Sequence, residues 1–135
     1  MTIHHLNNIL IVDDSGAVRS VVRKLLTQLG FKNIDEASDC EVALSKISMK
    51  HFDLVISDWN MEPMNGQVLL EKVRENKQYA NLPIIMMTAD STIDKIVQAK
   101  NAGVTSFIKK PFRAEELQAK ILQTNTNNQV TVDAE

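Results

Sequence analysis

From Ile9 to about Gln123, short apolar runs alternate with segments whose apolar residues recur every three or four positions. Ile9-Leu10-Ile11-Val12 has no polar alternation, so it predicts a strand buried on both faces. Val18, Val21, Val22, Leu25, Leu26 and Leu29 follow at helical spacing, with Gly30 as the stop signal. A weak strand over Asn33 to Glu36 precedes a short helix bearing Val42, Ala43, Leu44 and Ile47. The run from Phe52 to Ile56 predicts a further buried strand ending at Ser57, and Val68, Leu69 and Val73 mark a helix from Gly66 to Asn76. Pro83 opens a strand over Ile84 to Met87. A helix over Ser91 to Asn101 has Ile93, Ile96 and Val97 as its inward stripe. A strand through Phe107 and Ile108 and a helix after Pro111, bearing Leu117, Ile121 and Leu122, complete the pattern.

Five strands alternating with five helices predict an α/β fold: a doubly wound parallel sheet with helices on both faces. The commonest arrangement for five strands is the flavodoxin-like order 2-1-3-4-5, which places a ligand site at the carboxyl ends of strands 1 and 3. We expect one domain over residues 1–123, followed by a polar tail over 124–135, "TNTNNQVTVDAE", which lacks periodicity and is expected to be disordered.

Composition narrows the functional classes. Fifteen basic against 17 acidic residues leave a net charge of −2, so no electrostatic footprint for nucleic acid stands out. The single cysteine, Cys40, excludes an internal disulfide framework and suits a reducing, cytoplasmic compartment. MTIHHLNN is not the start of a signal peptide, and no apolar run reaches the ~20 residues of a membrane span.

The predicted topology gives the polar strand ends a shared location. Asp13-Asp14 follow strand 1, Asp58 follows strand 3, Thr88 ends strand 4 and Lys109-Lys110 end strand 5. Three close carboxylates repel one another and need a cation or a proton. An all-oxygen set without His or Cys favours Mg²⁺ (or Mn²⁺). A lysine and a threonine hydroxyl could hold phosphoryl oxygens, so the parts match a phosphoryl-transfer site with one carboxylate as nucleophile. Taken singly, each residue has a plainer role: Asp14 or Ser15 as a helix cap, Asp58 in a turn, Thr88 as strand or cap, Lys110 as a loop charge. It is their coincidence at four strand ends that points to chemistry.

On these residues the sequence resembles the CheY-like receiver domains, the phospho-acceptor modules of two-component response regulators. "LIVDDS" is similar to the family's acidic pair, "SDWNMEPMNG" to its phosphorylated aspartate and loop, "MMTAD" to its switch threonine and "FIKKPF" to its lysine-proline. The resemblance implies that Asp58 is the phosphoacceptor and that Asp13, Asp14, Asp58 and the backbone carbonyl of Asn60 bind the metal. It also implies that Thr88 and Lys110 contact the phosphoryl group, that Phe107 is the aromatic switch and that the Lys110-Pro111 bond is cis. Glu62 stands before Pro63 where the family usually has proline, and Phe107 and Ile93 replace the tyrosine and lysine of motor-binding members.

The expectation is therefore a single-domain response regulator rather than an enzyme in the metabolic sense. It would catalyse its own phosphorylation and dephosphorylation, take its phosphoryl group from a histidine kinase or histidine phosphotransfer protein, and signal to an effector protein through helix 4, strand 5 and helix 5. A phosphate sink or phosphorelay shuttle would use the same chemistry. A flavin site is disfavoured because Asp13-Asp14 would repel the cofactor phosphate. A dehalogenase-type phosphatase would have a carboxylate where Asn60 stands. His4, His5 and His51 have no partners at metal-ligand spacing, Cys40 has no resolving cysteine, and Met61, Met64, Met86 and Met87 suit packing.

Overall fold

The structure, a computed structural model, describes residues 8–89 and 93–128. His4 and His5, the expected helix start at Ser91, the Ile93 side chain and residues 129–135 lie outside that description. The strands are β1 (Asn8–Val12), β2 (Asn33–Ala37), β3 (Leu54–Asp58), β4 (Ile84–Thr88) and β5 (Ser106–Lys109). The helices are α1 (Gly16–Gln28), α2 (Cys40–Met49), α3 (Gly66–Glu75), α4 (Ile93–Asn101) and α5 (Ala114–Asn128). All strand pairs are parallel, and the sheet order is β2-β1-β3-β4-β5, the flavodoxin-like arrangement expected from the sequence.

Successive strand residues point to opposite faces, so each central strand feeds two cores. Leu10, Val12, Val55, Ile84 and Met86 pack on one face with residues of α2 and α3. Ile9, Ile11, Leu54, Ile56 and Met87 pack on the other with residues of α1 and α5. This two-sided burial explains why β1, β3 and β4 read as continuous apolar runs. Met61, Met86 and Met87 are buried and Met64 packs against the core, the packing role the sequence suggested.

Caps set the helix boundaries. The side chains of Ser15, Asp39 and Asn65 accept hydrogen bonds from the N–H groups of Val18, Val42 and Val68. Helix α1 stops where Gly30 adopts φ +101°, a conformation that favours glycine.

Beyond small shifts at strand ends, such as β3 beginning at Leu54 rather than Phe52, several expectations change. β3 runs one residue further than Ser57, because Asp58 still pairs with Met87. The inward side of α4 is not the Val97 stripe: Val97 is 48% exposed, and Ala99 is the buried residue. Finally, α5 continues to Asn128, into the segment expected as the tail, and Thr124 is fully buried. Thr124 lies three residues beyond Ile121, so it extends the helical stripe that a reading of apolar residues alone would end.

Candidate functional site

The register assembles the site. Val12 pairs with Ser57, so Asp13 lies beside Asp58 at the next step of the two strands. Asp58 pairs with Met87, which Thr88 follows. Thr88 pairs with Lys109, and the Lys110 N–H donates to the Thr88 carbonyl at 2.7 Å. Four strand ends thus converge at one edge of the sheet. The Lys110-Pro111 and Glu62-Pro63 peptides are both cis.

Asp13, Asp58 and Thr88 are buried, whereas Asp14 is exposed. One carboxylate oxygen from each of Asp13, Asp14 and Asp58 lies within 4.8 Å of the others. Lys110 Nζ stands 2.8 Å from Asp58 Oδ1 and 4.0 Å from Asp13 Oδ2. Among the described residues Lys110 is the cation paired with these three carboxylates, so the group remains short of positive charge. The Asp13 carboxyl is accordingly pushed above its ordinary value of 3.8. Burial is the main cause, and the charges of Asp58 and Asp14 add to it, while the Ser15 N–H and Lys110 oppose it.

The donor set fits a hard divalent ion. Asp13 Oδ1 accepts from the Ser15 N–H at 2.9 Å, but buried Oδ2 receives no hydrogen bond from the described residues. Asp58 Oδ1 meets the Lys110 ammonium as an ion pair without an aligned hydrogen bond. All the side-chain donors are oxygens, and Mg²⁺ uses one or two such carboxylates with water and phosphate oxygens. Asn60 is exposed two residues beyond Asp58. Ser15 fills the N-cap of α1, so that helix needs neither Asp14 nor Asp13 as its cap. His51 binds Asp53, ahead of β3 and so away from the carboxyl strand ends. Cys40 is buried, and burial pushes its thiol above the ordinary value, which keeps it protonated and unreactive.

The loop after Asp58 folds back onto the core. Trp59, which an exposed loop position would leave in solvent, is only 5% exposed. Its carbonyl accepts from Gly66 N–H at 2.8 Å, and a Cβ at Gly66 would meet the Asp58 carbonyl oxygen at 2.7 Å. Trp59, Met86, Thr88, Ile96, Ala99 and half-buried Phe107 surround a cavity of about 10 Å³. Phe107 and Thr88 therefore line the same small space.

Sequence reasoning missed the polar scaffold behind Asp13. Arg19 Nη1 donates to the Asp13 carbonyl, and Arg19 Nε donates to Glu36 Oε1. The only prior signal was that Arg19 lies one helical turn after Ser15. Its contact with Glu36 depends on the residue register between β1 and β2, which the predicted strand order does not give.

Comparison with known proteins agrees with this geometry. The pattern of the response regulator receiver domain matches residues 9–122. The chain is 42% identical over 113 residues to the Chemotaxis protein CheY of Pseudomonas aeruginosa, covering 84% of this chain and 91% of that protein. It is equally similar to the Chemotaxis protein CheY-3 of Vibrio cholerae, covering 84% and 87%. The structure of the chemotaxis protein CheY4 of Vibrio cholerae superimposes with a TM-score of 0.83 at 34% identity, over 88% of this chain and 98% of that one. A CheY-like receiver domain protein of Methanospirillum hungatei gives 0.83 at 29% identity, over 93% and 98%.

Proposed function

The chain belongs to the response regulator receiver domain family, and from that premise we propose that it accepts a phosphoryl group on Asp58 from the phosphohistidine of a histidine kinase or phosphotransfer protein. The observation that carries the reading is the charge deficit at the strand ends: among the described residues, Lys110 is the ammonium paired with this cluster of three carboxylates, and buried Asp13 Oδ2 has no donor.

An Asp58 carboxylate oxygen attacks phosphorus in line. The P–N bond to the donor imidazole breaks, and the imidazole leaves with the bonding electron pair. Lys110, 2.8 Å from Asp58, holds a phosphoryl oxygen as a point charge, and the Thr88 hydroxyl donates to another. Asp13, Asp14, Asp58 and the Asn60 carbonyl would hold Mg²⁺ (or Mn²⁺). When bound, the ion neutralises charge on the carboxylates and the phosphoryl group. Burial of Asp13 and Asp58 keeps these interactions in a low-dielectric setting, where each is stronger than in water.

Phosphorylation adds charge and acceptor oxygens beside Thr88. Thr88 and Phe107 border the same cavity, so a shift of the hydroxyl toward the phosphoryl group changes the space open to the Phe107 ring. That biases a two-state equilibrium of α4, β5 and α5, read by an effector protein. Phe107 lacks the hydroxyl of a tyrosine, so the contact it makes is apolar.

Incubation with acetyl phosphate and Mg²⁺, followed by mass spectrometry, tests the assignment. The expected adduct lies on Asp58 and is absent from Asp58→Asn. Full uptake by that variant would contradict the role given to Asp58.

A further inference from the structure

Asp13 is held at every polar atom but one. Its N–H donates to the Ala37 carbonyl at 3.1 Å, continuing the β1–β2 ladder. Its carbonyl accepts from Arg19 Nη1 at 2.6 Å, and its Oδ1 accepts from the Ser15 N–H at 2.9 Å. Only Oδ2 is left to face Lys110 and the other carboxylates. Arg19 is itself anchored: Glu36 Oε1 receives its Nε at 2.8 Å, and Glu36 Oε2 receives Arg23 Nε at 2.7 Å. Arg23 Nη2 donates in turn to the Ile34 carbonyl at 3.0 Å.

We propose that Arg19, tethered by Glu36, is a positioning residue that fixes the Asp13 main chain and thereby aims Asp13 Oδ2 into the divalent-cation site. This inference rests on reading the acidic cluster as such a site. The Arg19 guanidinium bridges the loop after β1 to the side chain of β2, the outer strand. Its planar fork makes both contacts at once, which a lysine ammonium on its single point cannot reproduce in the same geometry. Partners behind a metal ligand set its orientation, and their removal weakens binding even though they never touch the ion.

The sign of the effect separates positioning from simple electrostatics. Arg19 is a positive charge next to the cluster, so Coulomb's law alone makes its removal strengthen cation binding. Loss of a positioning contact weakens binding instead. A purely structural contact gives a third outcome: the melting temperature falls, but the increment produced by Mg²⁺ stays the same.

The test is a titration of the full chain with Mg²⁺ alone, read by Trp59 emission and by the Mg²⁺-dependent rise in melting temperature. Arg19→Met is expected to raise the Kd by about tenfold. Arg19→Lys keeps the charge and falls between that variant and wild type. Arg23→Met loosens the same ion-pair network without touching Asp13, and it leaves the Kd unchanged. If Arg19→Met does not fold, Glu36→Met removes both acceptor oxygens of the tether with Arg19 in place and is expected to weaken Mg²⁺ binding in the same direction. A saturable wild-type response with unchanged or tighter binding in Arg19→Met, or in Glu36→Met where the first does not fold, overturns the positioning role alone. The lack of any saturable response in wild type overturns the cation-site reading itself, and the positioning role with it.

Discussion

On the outer strand β2, Asp35 and Glu36 are each matched by two cations. Lys46 Nζ lies 2.9 Å and Lys50 Nζ 3.9 Å from Asp35, while Arg19 and Arg23 lie 2.8 and 2.7 Å from Glu36. One strand inward and at the carboxyl ends, Asp13, Asp14 and Asp58 cluster, and Lys110 lies against Asp13 and Asp58. Asp35 and Glu36 shift one way and Asp13 the other. Burial works to raise Asp35, but the Lys46 and Glu36 N–H hydrogen bonds and the charges of Lys46 and Lys50 outweigh it, so it is lowered. Glu36 is lowered chiefly by the Arg23 hydrogen bond, against burial and with help from Arg19. Asp13 is raised, because burial and its like-charged neighbours outweigh what opposes them. Acidic residues are thus not a functional signal in themselves. The signal is an acidic group that the fold buries and leaves short of cations, as stability alone would not arrange.

The sharpest way to break that contrast is to remove one lysine from each group. Lys110→Met leaves buried Asp58 without its partner, and without divalent ions it is expected to cost roughly 1–3 kcal/mol, the penalty of an unmatched buried polar group. Mg²⁺ should recover part of that loss. Lys46→Met on the half-exposed β2 group is expected to cost less, about 0.5–1 kcal/mol after solvent screening, with no recovery by Mg²⁺. Chemical denaturation in EDTA and in Mg²⁺ measures both. Equal losses with equal Mg²⁺ responses would erase the distinction between the two groups.

A smaller effect is the pH dependence of the metal-free protein. Asp35 and Glu36 have lowered folded-state values, so their stabilisation is present above their ordinary values of 3.8 and 4.5 and is lost as pH falls through the folded ones. Asp13 has a raised folded value, so its contribution is fully present below 3.8 and is lost as pH rises through the raised folded value. Relative to Asp13→Asn, wild type should therefore lose stability on going from acid toward neutral pH in EDTA. Relative to Asp35→Asn, it should gain. Denaturation midpoints for the three proteins across that range check both signs.

The sheet was legible in the sequence because β1, β3 and β4 are buried on both faces, and such strands appear as unbroken apolar runs. The convergence of Asp13, Asp58, Thr88 and Lys110 followed from strand order and strand ends alone. What escaped depends on contacts between distant segments. Trp59 is buried because its loop returns to Gly66, and the Arg19–Glu36 contact depends on the residue register between β1 and β2, which strand order alone does not give. The length of α5 escaped because Thr124, a polar residue, occupies a fully buried position on it. Val97 was misplaced because three apolar residues on a short helix suit more than one inward face.

On the proposed function, the strand-end carboxylates are held against their mutual repulsion for the sake of a divalent ion, whereas the β2 pair is held for stability. Melting temperatures of wild type, Asp13→Asn and Asp35→Asn, each in EDTA and in saturating Mg²⁺, test it most directly. Asp13→Asn should melt above wild type in EDTA, by on the order of 1 kcal/mol or less in free energy, and lose most of the Mg²⁺ increment. Asp35→Asn should melt below wild type in both conditions and keep the increment. An Asp13→Asn protein that melts below wild type in EDTA and gains as much from Mg²⁺ as wild type does would contradict the account.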